Sequence, residues 1–292
     1  MTSSPLDPGP LRLALPKGRM EAGVLALLAD AGINVSPTAR GYRPRVSLPD
    51  TETKVLKPQN IVEMLALGSR DVGFAGGDWV AELGLEVVEL LDTTLDPVRV
   101  VAAAPASMLA GGKLPDRRLV VASEYERLAR RWIEARGITA ELVRSYGATE
   151  VFPPEDADVI VDNTATGATL VANGLAIVDE ILGSSTRLLA SPAAMECRAR
   201  RQRIEDLVLV LRSVLEARKR VMVEVNASPE AFDAIVRVLP CMRTPTVSPL
   251  FGDSGFAVKA AVPREALPTL IPALKAAGAT DVIVSALGQI VP

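Results

Sequence analysis

The stretch Asp158 to Leu170, DVIVDNTATGATL, sets one carboxylate, several hydroxyls and a glycine where an apolar run gives way to a helical pattern. An apolar strand, Val159 to Val161, ends at Asp162. A polar stretch, Asn163 to Thr166, leads through Gly167 into a helix. Such a strand-to-helix turn aims several free backbone N–H groups at one point, and the helix dipole adds partial positive charge there. Thr166 and Thr169 add hydroxyl donors, and Gly167 lets the backbone approach a phosphate closely. Asp162 offers two oxygens to a sugar diol. The same residues would therefore hold a phosphate and a ribose together. Spacing alone leaves open an ordinary βα turn in which threonine caps the helix.

The rest of the composition narrows the chemistry. The 292 residues include no histidine. That removes Ser-His-Asp and Cys-His catalysis, histidine bases and histidine-based zinc sites. Cys197 and Cys241 are the two cysteines, outside any CxxC spacing, which excludes a zinc cluster and suits a reducing cytosol. The net charge of −3 lacks the basic excess of a nucleic-acid binder. The densest basic run, Arg198 to Arg203, is followed by Glu205 and Asp206 and reads as a solvated helix face. The start, MTSSPLDPGP, has neither the positive nor the apolar region of a signal peptide and reads as a short disordered tail. No apolar stretch reaches the length of a membrane span. A cytoplasmic protein is the expectation. Carboxylates, Lys and Arg, hydroxyls, backbone amides and a divalent cation must do the work.

These residues need a scaffold. Apolar runs at Leu11 to Leu15, Asp71 to Ala75, Val98 to Ala103, Leu119 to Ala122 and Val159 to Val161 read as strands. Helical patterns lie at Met20 to Ala31, Asn60 to Leu67, Arg127 to Arg136 and Ala168 to Asn173. The alternation predicts an α/β fold with largely parallel sheets. A long helix is expected over Ile204 to Arg218. Beyond it, strands at Arg220 to Val225, Phe256 to Val262 and Asp281 to Ala286 enclose two helices. One starts at Ser228-Pro229-Glu230 with Ser228 as N-cap, and the other runs from Leu267 to Ala277. This β-α-β-α-β order predicts a small ferredoxin-like module.

Read with its surroundings, the loop closely resembles the phosphoribosyl-diphosphate motif of the ATP phosphoribosyltransferases. Other segments resemble family landmarks in the same order: LALPKGRM (Leu13 to Met20), KPQNI (Lys57 to Ile61), DVGFAGGDWV (Asp71 to Val80) and Arg99. LPCMRTPTVSPL (Leu239 to Leu250) resembles a segment of the long form, which carries a regulatory domain. The resemblance spans residues 11 to 288. It implies a two-lobed, periplasmic-binding-protein-like catalytic part with a ferredoxin-like C-terminal domain. The implied division is lobe I at residues 1–100, completed by about 184–212, lobe II at 101–183, and the regulatory domain at 218–292.

The resemblance also implies an activity. Adenine N1 of ATP would be joined to 5-phosphoribosyl 1-diphosphate with release of pyrophosphate, using Mg²⁺, as the first step of histidine biosynthesis. Asp162, Lys17 and Arg99 would be catalytic. Asp162, Thr164, Thr166, Gly167, Ala168 and Thr169 would bind the donor, and Arg19, Lys57 and Asp78 would bind ATP. Histidine would inhibit through Thr246 and Ser285, in a dimer or hexamer, with no metal ligand assigned. Some positions depart from the family pattern. Lys57 stands for Arg, Gly77 for Lys or Arg, Thr94 and Asp96 for glycines, Glu124 for Lys and Glu155 for Gly, while Glu150 falls one residue off the usual Glu. These leave two alternatives, a diverged non-catalytic paralogue and a solute-binding module for a phosphosugar or amino acid.

Overall fold

The computed structural model describes residues 9–36 and 41–291. The tail expected at the N-terminus therefore lies, through residue 8, outside the described residues. The chain divides into two compact units, one of residues up to Ala29 with Ile33–Glu205, the other of Asp30–Gly32 with residues from Asp206 on.

The first unit holds two five-stranded sheets. It opens with β1 (Leu11–Pro16), α1 (Glu21–Asp30), β2 (Val35–Ser36), β3 (Arg45–Val46), β4 (Thr51–Leu56), α2 (Pro58–Ala66), β5 (Val72–Gly76), α3 (Gly77–Leu83) and β6 (Val88–Asp92). The chain crosses to the second sheet through β7 (Val98–Pro105), β8 (Leu119–Ser123), α4 (Glu126–Arg136), β9 (Ala140–Arg144), β10 (Val159–Thr164), α5 (Ala168–Ala172) and β11 (Leu175–Ser184). It returns through β12 (Thr186–Ala190), α6 (Pro192–Glu196) and α7 (Arg198–Arg218). The sheet orders are β4-β1-β5-β12-β6 and β11-β7-β10-β8-β9.

The expectation of largely parallel sheets needs correcting, because both sheets are mixed. β1 runs parallel to β4 and β5, and β8 runs parallel to β9 and β10. The strands that carry the chain between lobes break this pattern. β12 is antiparallel to β5 and β6, and β7 is antiparallel to β10 and β11. Each arrives from the other lobe without a crossover helix to reverse it. Central β5 is buried at every residue, as a strand covered on both faces must be.

The basic run at the start of α7 is more than a solvated face. Arg200 Nη1 lies 3.4 Å from Asp71 Oδ1, and Arg203 Nη2 donates to the carbonyls of Pro49 and Asp50 at 2.7 Å each. Asp71 is fully buried and also receives Arg12 Nη2 at 2.6 Å.

The second unit continues with β13 (Arg220–Ala227), α8 (Phe232–Val238), β14 (Thr246–Pro249), β15 (Phe256–Pro263), α9 (Leu267–Ala276) and β16 (Thr280–Ala286). The sheet order β14-β15-β13-β16 is that of a ferredoxin-like fold. Val221, Val223 and Val225 of β13 pack into a core with Leu270 and Leu274 of α9. Two readings are corrected. β14, a strand absent from the expected order, occupies an edge, where its flanking prolines are tolerated. α8 begins at Phe232, while Ser228 Oγ accepts the Ala231 N–H at 3.3 Å in a preceding turn. Among the described residues no helix is long and apolar enough to cross a membrane.

Candidate active site

The donor loop begins where β10 ends. β10 is pinned between antiparallel β7 and parallel β8, so its last residues project at a fixed edge of the second lobe. Gly167 sits at φ 82°, a left-handed conformation that a β-carbon would strain. Its N–H donates to Thr164 Oγ1 at 2.9 Å, and the Ala168 N–H donates to Thr166 Oγ1 at 3.3 Å. Two threonine hydroxyls thus shape the turn itself. Helix α5 has five residues, too short to build much of a macrodipole. The local N–H groups and hydroxyls are therefore what the loop offers an anion. Ala165, Thr166, Ala168 and Thr169 are exposed at its rim.

These residues line a cavity of about 220 Å³. Arg19, from the loop after β1, lies on its wall, and so do Glu150, Asp162, Thr164 and Thr166. Residues of both lobes therefore meet around one space. Burial pushes the Asp162 carboxyl up to about 6, against the Asn163 N–H, which stabilises the anion, and Glu150 and Glu124 push it further up. The Asn163 N–H donates to Asp162 Oδ1 at 2.7 Å.

The other basic residues divide. Lys17 and Lys57 follow β1 and β4 at the same end of that parallel pair, and the Lys17 N–H donates to the Leu56 carbonyl at 2.8 Å. Both side chains are exposed, with Lys17 Nζ 5.6 Å from the centroid of the Tyr42 ring. Strand C-terminal ends are where open α/β sheets place their ligands. Arg19 Nη1 donates to the Asp96 carbonyl at 2.7 Å. Arg99 pairs in register with Thr164, which sets it beside the loop, but its guanidinium bonds Glu180 at 3.1 Å.

Asp78, expected at the ATP, is buried and engaged by neighbouring hydroxyls. It is 2% exposed. Its Oδ1 accepts from Ser184 Oγ at 2.7 Å and its Oδ2 from the Tyr125 hydroxyl at 2.6 Å. Glycine at Gly76 makes room for it, since a β-carbon there would overlap Asp78 Oδ1. Tyr125, Asn163 and Ser184 were not among the expected site residues. Asn163 stands beside Asp162 in the loop itself, whereas Tyr125 and Ser184 carry no local signal, because they reach Asp78 only when the two lobes fold together.

The departures also acquire positions. Thr94 and Asp96 adopt φ of 57° and 48°, so the backbone keeps a glycine-like path without glycine. Asp92 Oδ1 accepts the Thr94 N–H at 2.8 Å, and Asp96 Oδ2 accepts from Thr186 Oγ1 at 3.2 Å. Glu124 lines a second cavity of about 510 Å³ with Gln59, Trp79, Arg127 and Arg144. Glu155 is exposed and Gly77 opens α3. Thr246 lines a cavity of about 250 Å³ in the second unit, with Met222, Arg243, Thr244 and Lys259. Ser285 pairs with Met222 across β16 and β13.

Comparison with known proteins finds relatives along nearly the whole chain. A family model described as ATP phosphoribosyltransferase matches residues 57–213, and one described as HisG, C-terminal domain, matches residues 217–289. An ATP phosphoribosyltransferase of Chlorobium phaeovibrioides is 35% identical over 277 residues, covering 93% of this chain and 94% of the relative. One from Pelotomaculum thermopropionicum is 34% identical, covering 97% and 99%. The solved ATP phosphoribosyl transferase (HisG:HisZ) complex from Thermotoga maritima has a chain that superposes with a TM-score of 0.62 at 27% identity, covering 70% of this chain and 98% of that one.

Proposed function

Because the chain belongs to the ATP phosphoribosyltransferase family, in the long form with a C-terminal domain, we propose how its residues divide the reaction. That reaction joins adenine N1 of ATP to 5-phosphoribosyl 1-diphosphate, releases pyrophosphate and begins histidine biosynthesis. Charge builds on the departing pyrophosphate while the ribose becomes oxocarbenium-like. Adenine N1 attacks without a strong base, so a chain lacking histidine suffices. Alignment and charge stabilisation are what the site must supply.

The backbone of Gly167 and Ala168, with Thr164, Thr166 and Thr169, takes the 5-phosphate. Asp162 takes the ribose hydroxyls. The observation that carries this reading is the cavity where Arg19 of one lobe lines the same space as Asp162 and the threonine loop of the other. Lys17, Lys57 and Arg19 draw in the pyrophosphate and ATP phosphates. Lys57 does so as a point charge, without the bidentate grip of an arginine. Arg99 joins them by exchanging Glu180 for a phosphate. Their side chains are 41% and 50% exposed, and such an ion pair contributes only about 0–1 kcal/mol. Asp78 acts from behind, through its partners.

Among the described residues no group of three or more candidate ligands forms a metal cage. That donor set suits Mg²⁺, which is commonly held by one or two carboxylates and substrate phosphates. Glu150, beside Asp162, is the carboxylate at hand. The ion would neutralise charge on the leaving pyrophosphate. In the second unit, we assign the 250 Å³ cavity to histidine, with Arg243 or Lys259 toward the carboxylate and Thr246 and Ser285 as hydroxyl partners. The oligomer is a dimer that closes to a hexamer, whose balance histidine shifts.

The test is absorbance of phosphoribosyl-ATP from ATP, donor and Mg²⁺, beside calorimetric titration of the donor. Asp162→Ala is expected to lose donor binding while the melting profile stays cooperative. Unchanged donor affinity in that variant overturns the assignment. Donor binding without product in the parent would point to a sensor instead.

A further inference from the structure

A continuous hydrogen-bonded path crosses from the first lobe to the donor loop. Ser184 Oγ donates to Asp78 Oδ1 at 2.7 Å and accepts the Asp78 N–H at 2.9 Å. Asp78 sits in the first turn of α3. The Tyr125 hydroxyl donates to Asp78 Oδ2 at 2.6 Å. The same hydroxyl oxygen accepts Asn163 Nδ2 at 3.0 Å. Asn163 in turn holds Asp162 through its backbone N–H at 2.7 Å, with Nδ2 at 3.4 Å from the same oxygen.

Every member of this path is constrained. The Tyr125 side chain is fully buried, and its ring stacks on Trp79 at 4.6 Å between centroids. Its backbone N–H is fixed by Ser123 Oγ at 2.8 Å, and that hydroxyl donates to the carbonyl of Val161, one residue before Asp162. The phenol proton stays on at any working pH, because burial and the neighbouring Asp78 both oppose its loss. A neutral phenol can therefore donate to Asp78 and accept from Asn163 at once. Asn163 Nδ2 faces two acceptors, the Tyr125 hydroxyl and Asp162 Oδ1, and the contact with the hydroxyl is the shorter. Without it the amide keeps only the longer contact, and that arm of the brace on Asp162 loosens while the Asn163 N–H and Thr149 still hold the carboxylate.

We propose that Tyr125 and Asn163 are positioning residues that orient the Asp162 carboxylate for the ribose diol, with Asp78 anchoring them to the opposite lobe and Ser184 holding Asp78 in place. The proposal rests on the assignment of Asp162 to the ribose. It predicts that the donor, and not ATP, feels the loss of a hydroxyl that never touches substrate.

The experiment uses the full chain with Tyr125→Phe, Asn163→Ala, the double variant and Asp162→Asn. Tyr125→Phe keeps the stacked ring and removes one oxygen. Its KM for the phosphoribosyl donor is expected to rise about tenfold, the scale of one lost well-placed hydrogen bond. Its KM for ATP should stay within about twofold of the parent value. Asn163→Ala should match it, and the double variant should be little worse than either single one, because both cut one path. Additive losses in the double variant overturn the proposal, and so does an unchanged donor KM beside a lowered melting temperature. If Tyr125→Phe does not fold, the half-buried Asn163→Ala decides on the same donor KM. Asp162→Asn separates the two levels. Lost donor binding there with normal binding in Tyr125→Phe overturns the positioning role alone. Retained donor affinity in Asp162→Asn overturns the ribose assignment and this proposal with it.

Discussion

At the scale of the residue, Asp162 is held in a condition that costs stability. Burial, with Glu150 and Glu124 facing it, raises its carboxyl from 3.8 to about 6, against the opposing bonds from Asn163 and Thr149. A folded-state value above the unfolded one means the native protein binds the proton more tightly. Stability from this group is full below the unfolded value and is lost as pH rises through about 6. Asp162→Asn should therefore stabilise the protein at pH 7 by roughly 1–3 kcal/mol, and the gain should shrink as pH falls toward about 4. Urea unfolding at several pH values measures it. A gain that grows on acidification contradicts the burial argument. On the proposed ribose role, the same ionisation should give the pH profile of donor kcat/KM an acid limb near pH 6, since a ribose diol needs an acceptor. Asp162 and the Thr-Gly-Ala-Thr run were legible in sequence because strand, carboxylate and glycine lie within one local turn. Asp78 was legible as a marked position, but its partners Tyr125 and Ser184 were not, since they lie 47 and 106 residues away.

At the scale of the element, legibility followed the same division between local and distant causes. The strands at Leu11, Val98 and Val159 and the amphipathic α4 announce themselves by period. α4 buries Leu128, Ala129 and Trp132 on one face and stops at Gly137 in a left-handed cap. β6, β9 and β14 do not, because these edge strands are exposed at two of five, three of five and all four residues and so lack a buried apolar run. The loop before β7 shows an element under tension. Thr94 is β-branched and sits at φ 57°, a region where such residues are strained. Its side chain donates only to the carbonyl of its neighbour Thr93, at 2.7 Å. Thr94→Gly should thus stabilise the fold by about 1 kcal/mol, read as a higher urea midpoint with an unchanged slope. A loss of similar size would mean that the threonine contacts outweigh the backbone strain. Asp96, at φ 48°, stands differently, because Asp tolerates this region and its carboxylate bonds Thr186.

At the scale of the molecule, each unit closes its own core, and the boundary between them falls within α7, after Glu205. The second unit uses only one face of its sheet for that core. Val221, Val223 and Val225 point into it, and Met222 and Glu224 point the other way. Register places Ser285 opposite Met222, and Thr246 beside Lys259, which pairs with Glu224 at 2.8 Å. The free face is therefore mixed, with Glu224, Lys259 and exposed hydroxyls on both edge strands set among Met222, Ala261 and Ile283. On the proposed reading, an amino acid's carboxylate would meet Arg243 or Lys259 there and its ammonium Glu224. Binding to the folded state alone must raise stability by mass action, about 2.7 kcal/mol at a hundred times Kd. Histidine should then raise the melting temperature of the full chain in a concentration-dependent way and inhibit turnover. Thr246→Val keeps the shape and removes the hydroxyl on an exposed strand. The histidine concentration for half-inhibition, taken against the variant's own uninhibited rate, should rise about tenfold. Millimolar histidine that moves neither turnover nor melting in the parent would leave the open face without an effector and make the unit a structural one.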